Sequence, residues 1–208
     1  MVSGRMQYYL NLSGFGKSMF GKIGKTIWKC TGADKSNVYF IDGEKKILID
    51  AGNRTDRATM TMMLGKAVDF TAIEVVIFTH LHYDHCGNFD MFPNAEFYAS
   101  AQELADFKND PNGTVLDRIV AEKLASIDIK PLPNELYGLK ILPSPGHTRG
   151  SIMVWYEKEK ALFTGDTYFG SKKQGRTDLP TSDHDSMKDS VMNVVNMNAK
   201  ILCPGHDY

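Results

Sequence analysis

The sequence predicts a single α/β domain spanning residues 1–208, with its chemistry gathered at strand ends. Three observations lead there. Short apolar, β-branched runs such as Val75-Val76-Ile77-Phe78 alternate with stretches of helical spacing. Several of these runs stop at turns rich in histidine, aspartate and glycine, and in α/β sheets the strand ends are where ligands gather. The chain has 208 residues, 42% hydrophobic and 24% charged, which suffices for one sizeable core.

From the N-terminus, residues 7–12 read as a first strand. A glycine-rich stretch follows, with Gly14, Gly16, Gly21 and Gly24, and is expected to be a flexible loop. Gly16-Lys17-Ser18 and Gly24-Lys25-Thr26 imitate part of a P-loop. The motif fails at both, because the required earlier glycine is replaced by Asn11 and Met19. Asn37–Ile41 and Lys46–Asp50 flank Asp42-Gly43 and read as a hairpin. Asp50, at a strand end beside Ala51-Gly52, suits either a hydrogen bond to a ligand loop or a turn cap. Residues 56–67 read as a helix packing Ala58, Met62, Met63 and Ala67, with the methionines as core filling.

The densest polar cluster follows Phe78. Thr79-His80-Leu81-His82-Tyr83-Asp84-His85 sets three imidazoles and a carboxylate within six positions. Placing them at a buried strand end costs desolvation free energy, which a bound metal ion would offset. Residues 95–99 read as a strand. Ser100-Ala101-Gln102-Glu103 reads as a capping box opening a helix to about Lys108, broken by Asn109–Gly113. Leu116, Ile119, Val120, Leu124 and Ile127 form a helical stripe suited to core packing.

From Leu139 the pattern returns to β. Residues 139–142 lead to Pro145-Gly146-His147-Thr148. Residues 151–156 and 161–164 bracket Glu157–Lys160, expected to be a solvated turn. The second of these strands ends at Gly165-Asp166-Thr167. Residues 184–195 read as a helix, and Ile201–Cys203 as a last strand before Pro204-Gly205-His206-Asp207-Tyr208. Four strand ends thus carry five of the six histidines, together with Asp84 and Asp166. His184 stands apart near a helix start and reads as a surface or cap residue.

His-X-His-X-Asp-His at 80–85, Pro-Gly-His-Thr at 145–148, Thr-Gly-Asp-Thr at 164–167 and Pro-Gly-His at 204–206 together resemble the metallo-β-lactamase superfamily. The resemblance runs from Ser36-Asn37 to His206 and implies a four-layered αββα sandwich with its active site at one sheet edge. It carries over seven metal-ligand positions, His80, His82, Asp84, His85, His147, Asp166 and His206, and a strand-end aspartate at Asp50. Seven ligands exceed one tetrahedral site. By resemblance, His80, His82 and His147 hold one ion, Asp84, His85 and His206 a second, and Asp166 bridges. Histidine and carboxylate suit zinc first, with iron or manganese as alternatives. A bridging hydroxide, oriented by Asp84 or Asp166, would attack the substrate.

The stretches 163–169 and 175–180, and the terminal His206-Asp207-Tyr208, resemble glyoxalase II and related hydroxyacylglutathione hydrolase-like proteins. Glyoxalase II continues into a helical domain that grips glutathione, whereas this sequence ends two residues after His206. The expectation is therefore a short relative that hydrolyses a thioester, ester or lactone. Tyr168 is a candidate oxyanion donor, Arg176 and Asp178 a candidate loop brace, and Cys86 a packed thiol. The alternatives are a mononuclear-iron enzyme like the persulfide dioxygenases, which share Gly-Arg-Thr-Asp, a lactonase or phosphodiesterase of the same superfamily, and a non-catalytic metal-binding module. Specificity is expected from the glycine-rich loop, residues 100–130 and residues 168–180.

Net charge is −1, giving no basic excess for nucleic acid, and no run approaches the roughly 20 apolar residues of a membrane span. Residues 1–5 lack the apolar core of a secretory signal. Cys30, Cys86 and Cys203 are odd in number and far apart, against a disulfide framework. The expected setting is cytoplasmic, with a small-molecule substrate, no nucleic-acid or membrane partner, and a homo-oligomer possible.

Overall fold

Two β-sheets face one another, as a computed structural model describing residues 19–171 and 173–208 shows. The first sheet holds β1 (Met19–Lys22), β2 (Ile27–Thr31), β3 (Asn37–Asp42), β4 (Lys46–Ile49), β5 (Val75–Ile77), β6 (Glu96–Ala99) and β7 (Ile129–Pro131), side by side in that order. Its first four strands are an antiparallel meander, and β4 to β7 run parallel. Parallel neighbours need crossovers. Those of this sheet carry α1 (Arg57–Leu64), α2 (Tyr83–Cys86), α3 (Ala101–Asn109), α4 (Pro111–Val115) and α5 (Arg118–Leu124). The second sheet orders β12 (Ile201–Pro204), β11 (Ala161–Gly165), β10 (Ile152–Tyr156), β9 (Leu139–Pro143) and β8 (Glu135–Leu136). The helix α6 (His184–Asn196) crosses from β11 to its parallel neighbour β12.

The two-residue alternation of a strand explains the layers. In β5, Val75 and Ile77 point between the sheets, where they meet Ile152, Val154 and Phe163. Val76 and the following Phe78 point the other way, into a core shared with Met60, Leu64, Val120 and Leu124 of α1 and α5. A third cluster joins Met153, Trp155 and Leu162 of the second sheet to Val194 of α6. The order is helices, sheet, sheet, helix, as the αββα expectation requires. No helix among the described residues is long and apolar enough to cross a membrane.

Several local expectations change. The strand expected at 7–12, Gly14, Gly16 and the Gly16-Lys17-Ser18 imitation lie outside the described residues. The remainder of the glycine-rich stretch is not a loop: β1 and β2 pair there as a hairpin. Gly24-Lys25-Thr26 forms its turn, and Glu159 accepts from the Thr26 amide at 2.7 Å and the Lys25 amide at 2.5 Å. Glu159 is therefore a clamp between turns of the two sheets, not a residue of a purely solvated turn. In α1 the buried residues are Met60, Met63 and Leu64, while Met62 is 48% exposed, so the helical face is rotated from the one expected. Asn109–Gly113 does not simply end a helix, because Asp110 caps α4 by accepting from the Gly113 amide. Ile119 is 56% exposed and leaves the expected stripe.

Candidate metal centre

All four ligand-bearing segments meet at one edge of the two sheets. β5 ends at Ile77, the segment after it carries His80 and His82, and α2 presents Asp84 and His85 one turn further on. His147 sits in the β9–β10 loop, Asp166 directly after β11, and His206 directly after β12. Ligand atoms of His80, His82 and His147 lie within 4.8 Å of one another, as do those of Asp84, His85 and His206 and those of His80, His85 and Asp166. The structure thus brings together all seven residues expected as ligands.

Proton bookkeeping tests whether a cation fits. The Thr79 hydroxyl donates to Asp50 Oδ2 at 2.9 Å, so it can only accept from His80 Nδ1, 3.2 Å away. That leaves His80 Nε2 bare, and it is buried without a hydrogen-bond partner. His147 Nδ1 donates to the Arg176 carbonyl at 2.8 Å, which bares His147 Nε2. His82 Nδ1 stands 2.9 Å from that nitrogen. His85 Nδ1 donates to Asp50 Oδ2 at 2.9 Å, and its Nε2 faces Asp166 Oδ1 and His206 Nε2, each at 3.3 Å, a gap that one proton or one cation must fill. Bare nitrogens and carboxylate oxygens repel unless a proton or cation lies between them. Asp166 Oδ1 and His206 Nδ1 are also buried without hydrogen-bond partners. A histidine and carboxylate donor set with orphaned, converging lone pairs fits divalent metal ions.

Electrostatics agrees for the first three imidazoles and for Asp166, while His85 competes for a proton where a cation would sit. Burial first, then neighbouring imidazoles, pushes His80 well below its usual range and His82 down to about 3, so both rings are neutral as ligation requires. Burial also lowers His147. Burial opposes ionisation of Asp166, but His85, His206 and His147 outweigh it and hold this carboxyl below the usual range. Burial likewise pulls His85 down, yet Asp166, Asp50 and Asp84 carry it well above its ordinary value.

The supporting residues are as informative. Asp50 takes a left-handed backbone, φ 62°, and turns its carboxylate onto Thr79 and His85, which makes it a ligand-orienting group and not a mere turn cap. Gly175 packs so close that a Cβ there would stand 2.1 Å from the Asp166 carbonyl and 3.0 Å from His147 Nδ1. Arg176 and Asp178 form a bidentate pair at 2.7 and 2.8 Å, the expected brace. Cys86 is buried and donates to the Leu81 carbonyl. His184 is exposed at the first turn of α6, 2.6 Å from the Thr177 hydroxyl.

A cleft of about 520 Å³ opens over the cluster. Its walls include Tyr83, Leu116, Phe169, Arg176, Leu179 and Tyr208. Tyr168, expected as an oxyanion donor, does not line it. Tyr168 packs against the cluster of Met153, Trp155, Leu162 and Val194 under α6, and its neighbour Phe169 lines the cleft instead. The described glycine-rich residues do not line it either, whereas Leu116 and residues 169–179 do. Sequence reasoning missed Glu103. The Ser100 hydroxyl accepts from the Glu103 amide, but the Glu103 carboxylate does not complete the expected capping box. It is buried, which pushes it up to about 7, and bonds the Leu81 amide and the Thr148 hydroxyl.

Residues 31–206 match the Metallo-beta-lactamase superfamily. The chain is 33% identical over 185 residues to a probable metallo-hydrolase of Methanocaldococcus jannaschii, covering 82% of this chain and 87% of that protein. It is 30% identical over 144 residues to a hydroxyacylglutathione hydrolase of Francisella philomiragia, covering 65% of this chain and 50% of that enzyme. Among solved structures, TTHA1623 in a di-iron-bound form aligns with TM-score 0.66 at 22% identity, covering 85% of this chain and 90% of that one. The mono-zinc form of the metallo-beta-lactamase FIM-1 from Pseudomonas aeruginosa aligns with TM-score 0.68 at 21% identity, covering 92% and 88%. At these identities the structural likeness speaks for the fold alone.

Proposed function

This chain belongs to the metallo-β-lactamase superfamily, and from that premise we propose that it is a metal-dependent hydrolase of thioesters, esters or lactones. The observation that carries the reading is the convergence of buried imidazole nitrogens, those of His80 and His82 without hydrogen-bond partners, around the Asp166 carboxylate. His80, His82 and His147 would hold one ion, Asp84, His85 and His206 another, with Asp166 between the two sets. Two divalent ions, zinc by donor chemistry with iron or manganese as alternatives, would supply Lewis acidity toward an acyl oxygen and activate water.

The chain's own residues supply the remainder. Asp50 fixes the tautomer of His85, and the Arg176 carbonyl fixes that of His147. Asp84 reaches the cleft with 20% of its side chain exposed, the most open carboxylate of the set, and would take up the proton that water gives as it attacks the acyl carbon. Phe169, Leu116 and Leu179 would shield the reacting carbonyl from bulk water. Preference for an acyl substrate rests on the relationship to the hydroxyacylglutathione hydrolase of Francisella philomiragia.

A panel of thioester, lactone and phosphodiester substrates, assayed with metal-loaded protein, tests this. Hydrolysis of an acyl substrate above the others is expected. Phosphodiester turnover in excess of acyl turnover, or thiol-dependent oxygen uptake with one iron per chain, would overturn it.

A further inference from the structure

Glu103 has no exposed surface and forms no ion pair among the described residues. Arg149, one residue beyond its partner Thr148, is instead held by Asp106 at 2.9 Å. A buried carboxylate without a counter-charge needs a structural reason. Its two oxygens are divided between two loops. Oε1 accepts from the Leu81 amide at 2.9 Å, and Oε2 from the Thr148 hydroxyl at 2.7 Å. Leu81 lies between His80 and His82, and Thr148 directly follows His147.

The surrounding bonds suit an acceptor at this position. The Ser151 hydroxyl accepts from the Thr148 amide at 3.1 Å and lies 2.8 Å from Thr148 Oγ1. With the Thr148 proton given to Glu103, Ser151 completes the chain by donating to Thr148. The helix bearing Glu103 is also pressed onto the same loop. The Ser100 hydroxyl donates to the Gly150 carbonyl at 2.6 Å, and a Cβ on Gly150 would stand 2.4 Å from the Glu103 amide nitrogen. A glutamine offers one acceptor and one donor, and so satisfies Leu81 but disturbs the Thr148–Ser151 chain. Alanine satisfies neither.

We propose that Glu103 is the positioning residue of the first ligand set, holding the His80–His82 loop against the His147 loop at the separation three imidazoles need to share one ion. This rests on the metal-dependent reading above. Neither contact touches Asp84, His85 or His206, so any effect on the second set is indirect, through the His82 carbonyl that accepts from the His85 amide at 2.9 Å.

The test is an equilibrium titration of the metal-free chain with Zn²⁺ against a chromophoric chelator, paired with the visible spectrum of the Co²⁺-loaded protein. Glu103→Gln, Glu103→Ala and Thr148→Val are compared with the parent after thermal melts of their metal-free forms. Glu103→Ala is expected to bind one of two ions about 10–100-fold more weakly, the same ion that His80→Ala loses, with an altered Co²⁺ spectrum. Glu103→Gln should fall between it and the parent. Thr148→Val should reproduce part of the loss, and adding it to Glu103→Ala should weaken binding no further. If Glu103→Ala does not fold, Glu103→Gln and Thr148→Val carry the same expectation. Folded variants that bind both ions as the parent does overturn this inference alone. A parent that binds no ion overturns the metal-dependent reading and this inference with it.

Discussion

Asp166 is where the two ligand sets meet. Its oxygens lie 3.3 Å from His85 Nε2 and 3.5 Å from both His147 Nε2 and His206 Nε2. Asp166→Ala should lose at least one ion by metal analysis and lower kcat/KM by more than about a thousandfold, or over about 4 kcal/mol of barrier; full metal content in that variant would refute the bridging role. Tyr168 has the opposite standing. Because it packs under α6 away from the cleft, Tyr168→Phe should leave kcat unchanged, while Phe169→Ala should raise KM in steady-state assays. A lowered kcat in Tyr168→Phe would return the tyrosine to the reaction. At this scale the residues that converge as candidate ligands were legible in sequence, because histidine and aspartate directly after β-branched runs have few other uses. Glu103 was not, since Ser-X-X-Glu is also a local capping signal and only tertiary contact decides which amide its carboxylate bonds. Tyr168 and Phe169 are neighbours of similar character, and only their tertiary packing sorts them.

Among the elements, the segment 174–182 acts as a cradle for His147. The Gly175 amide donates to the Asp166 carbonyl at 3.0 Å, the Arg176 carbonyl receives His147 Nδ1, and the Ser182 hydroxyl donates to the His147 carbonyl at 2.7 Å. The Gly-Arg-Thr-Asp stretch is therefore first of all a support for two ligands. Gly175→Ala would thrust a methyl group at both, and is expected to weaken metal affinity about 10–100-fold in the same titration with Arg176 untouched. Parent-like affinity would mean that the loop yields freely. The element pattern was readable where apolar runs were unbroken, as in β3, β4, β10 and β11, and where helical spacing was clear, as in α6. It failed for β1 and β2, whose glycines mask a hairpin, and for β7 and β8, which are too short to show alternation. In α1 every third or fourth position offered a methionine or alanine, so spacing alone did not fix which face is buried.

For the whole molecule, the centre is a joint between two sheets. His80, His82, Asp84 and His85 follow the first, and His147, Asp166 and His206 belong to the second. Other polar ties cross at this edge, among them the Asn37 amide to the Gly205 carbonyl at 2.8 Å, the Tyr39 hydroxyl to the Pro204 carbonyl at 2.8 Å and the Ile152 amide to the Thr79 carbonyl at 3.0 Å, and bound ions would add to them. Ions bound here would join the sheets, so chelation should lower the melting temperature of the whole domain, by an amount that grows with the metal concentration it removes. An unchanged melt would place the binding energy elsewhere. The α/β class was legible in the alternation of strands and helices and the candidate site in the four strand ends, while the four layers were implied by the family resemblance. Two of the three stretches expected to wall the cleft do so, through Leu116 and residues 169–179, but which side chains face it was not legible, because they reach the site from segments with no common pattern. The most direct test of the central claim is metal analysis of the chain as isolated, repeated on Asp166→Ala. Two divalent ions per chain, falling to one or none in the variant, is the predicted result; a parent chain with no bound metal, and none taken up on titration, would contradict it.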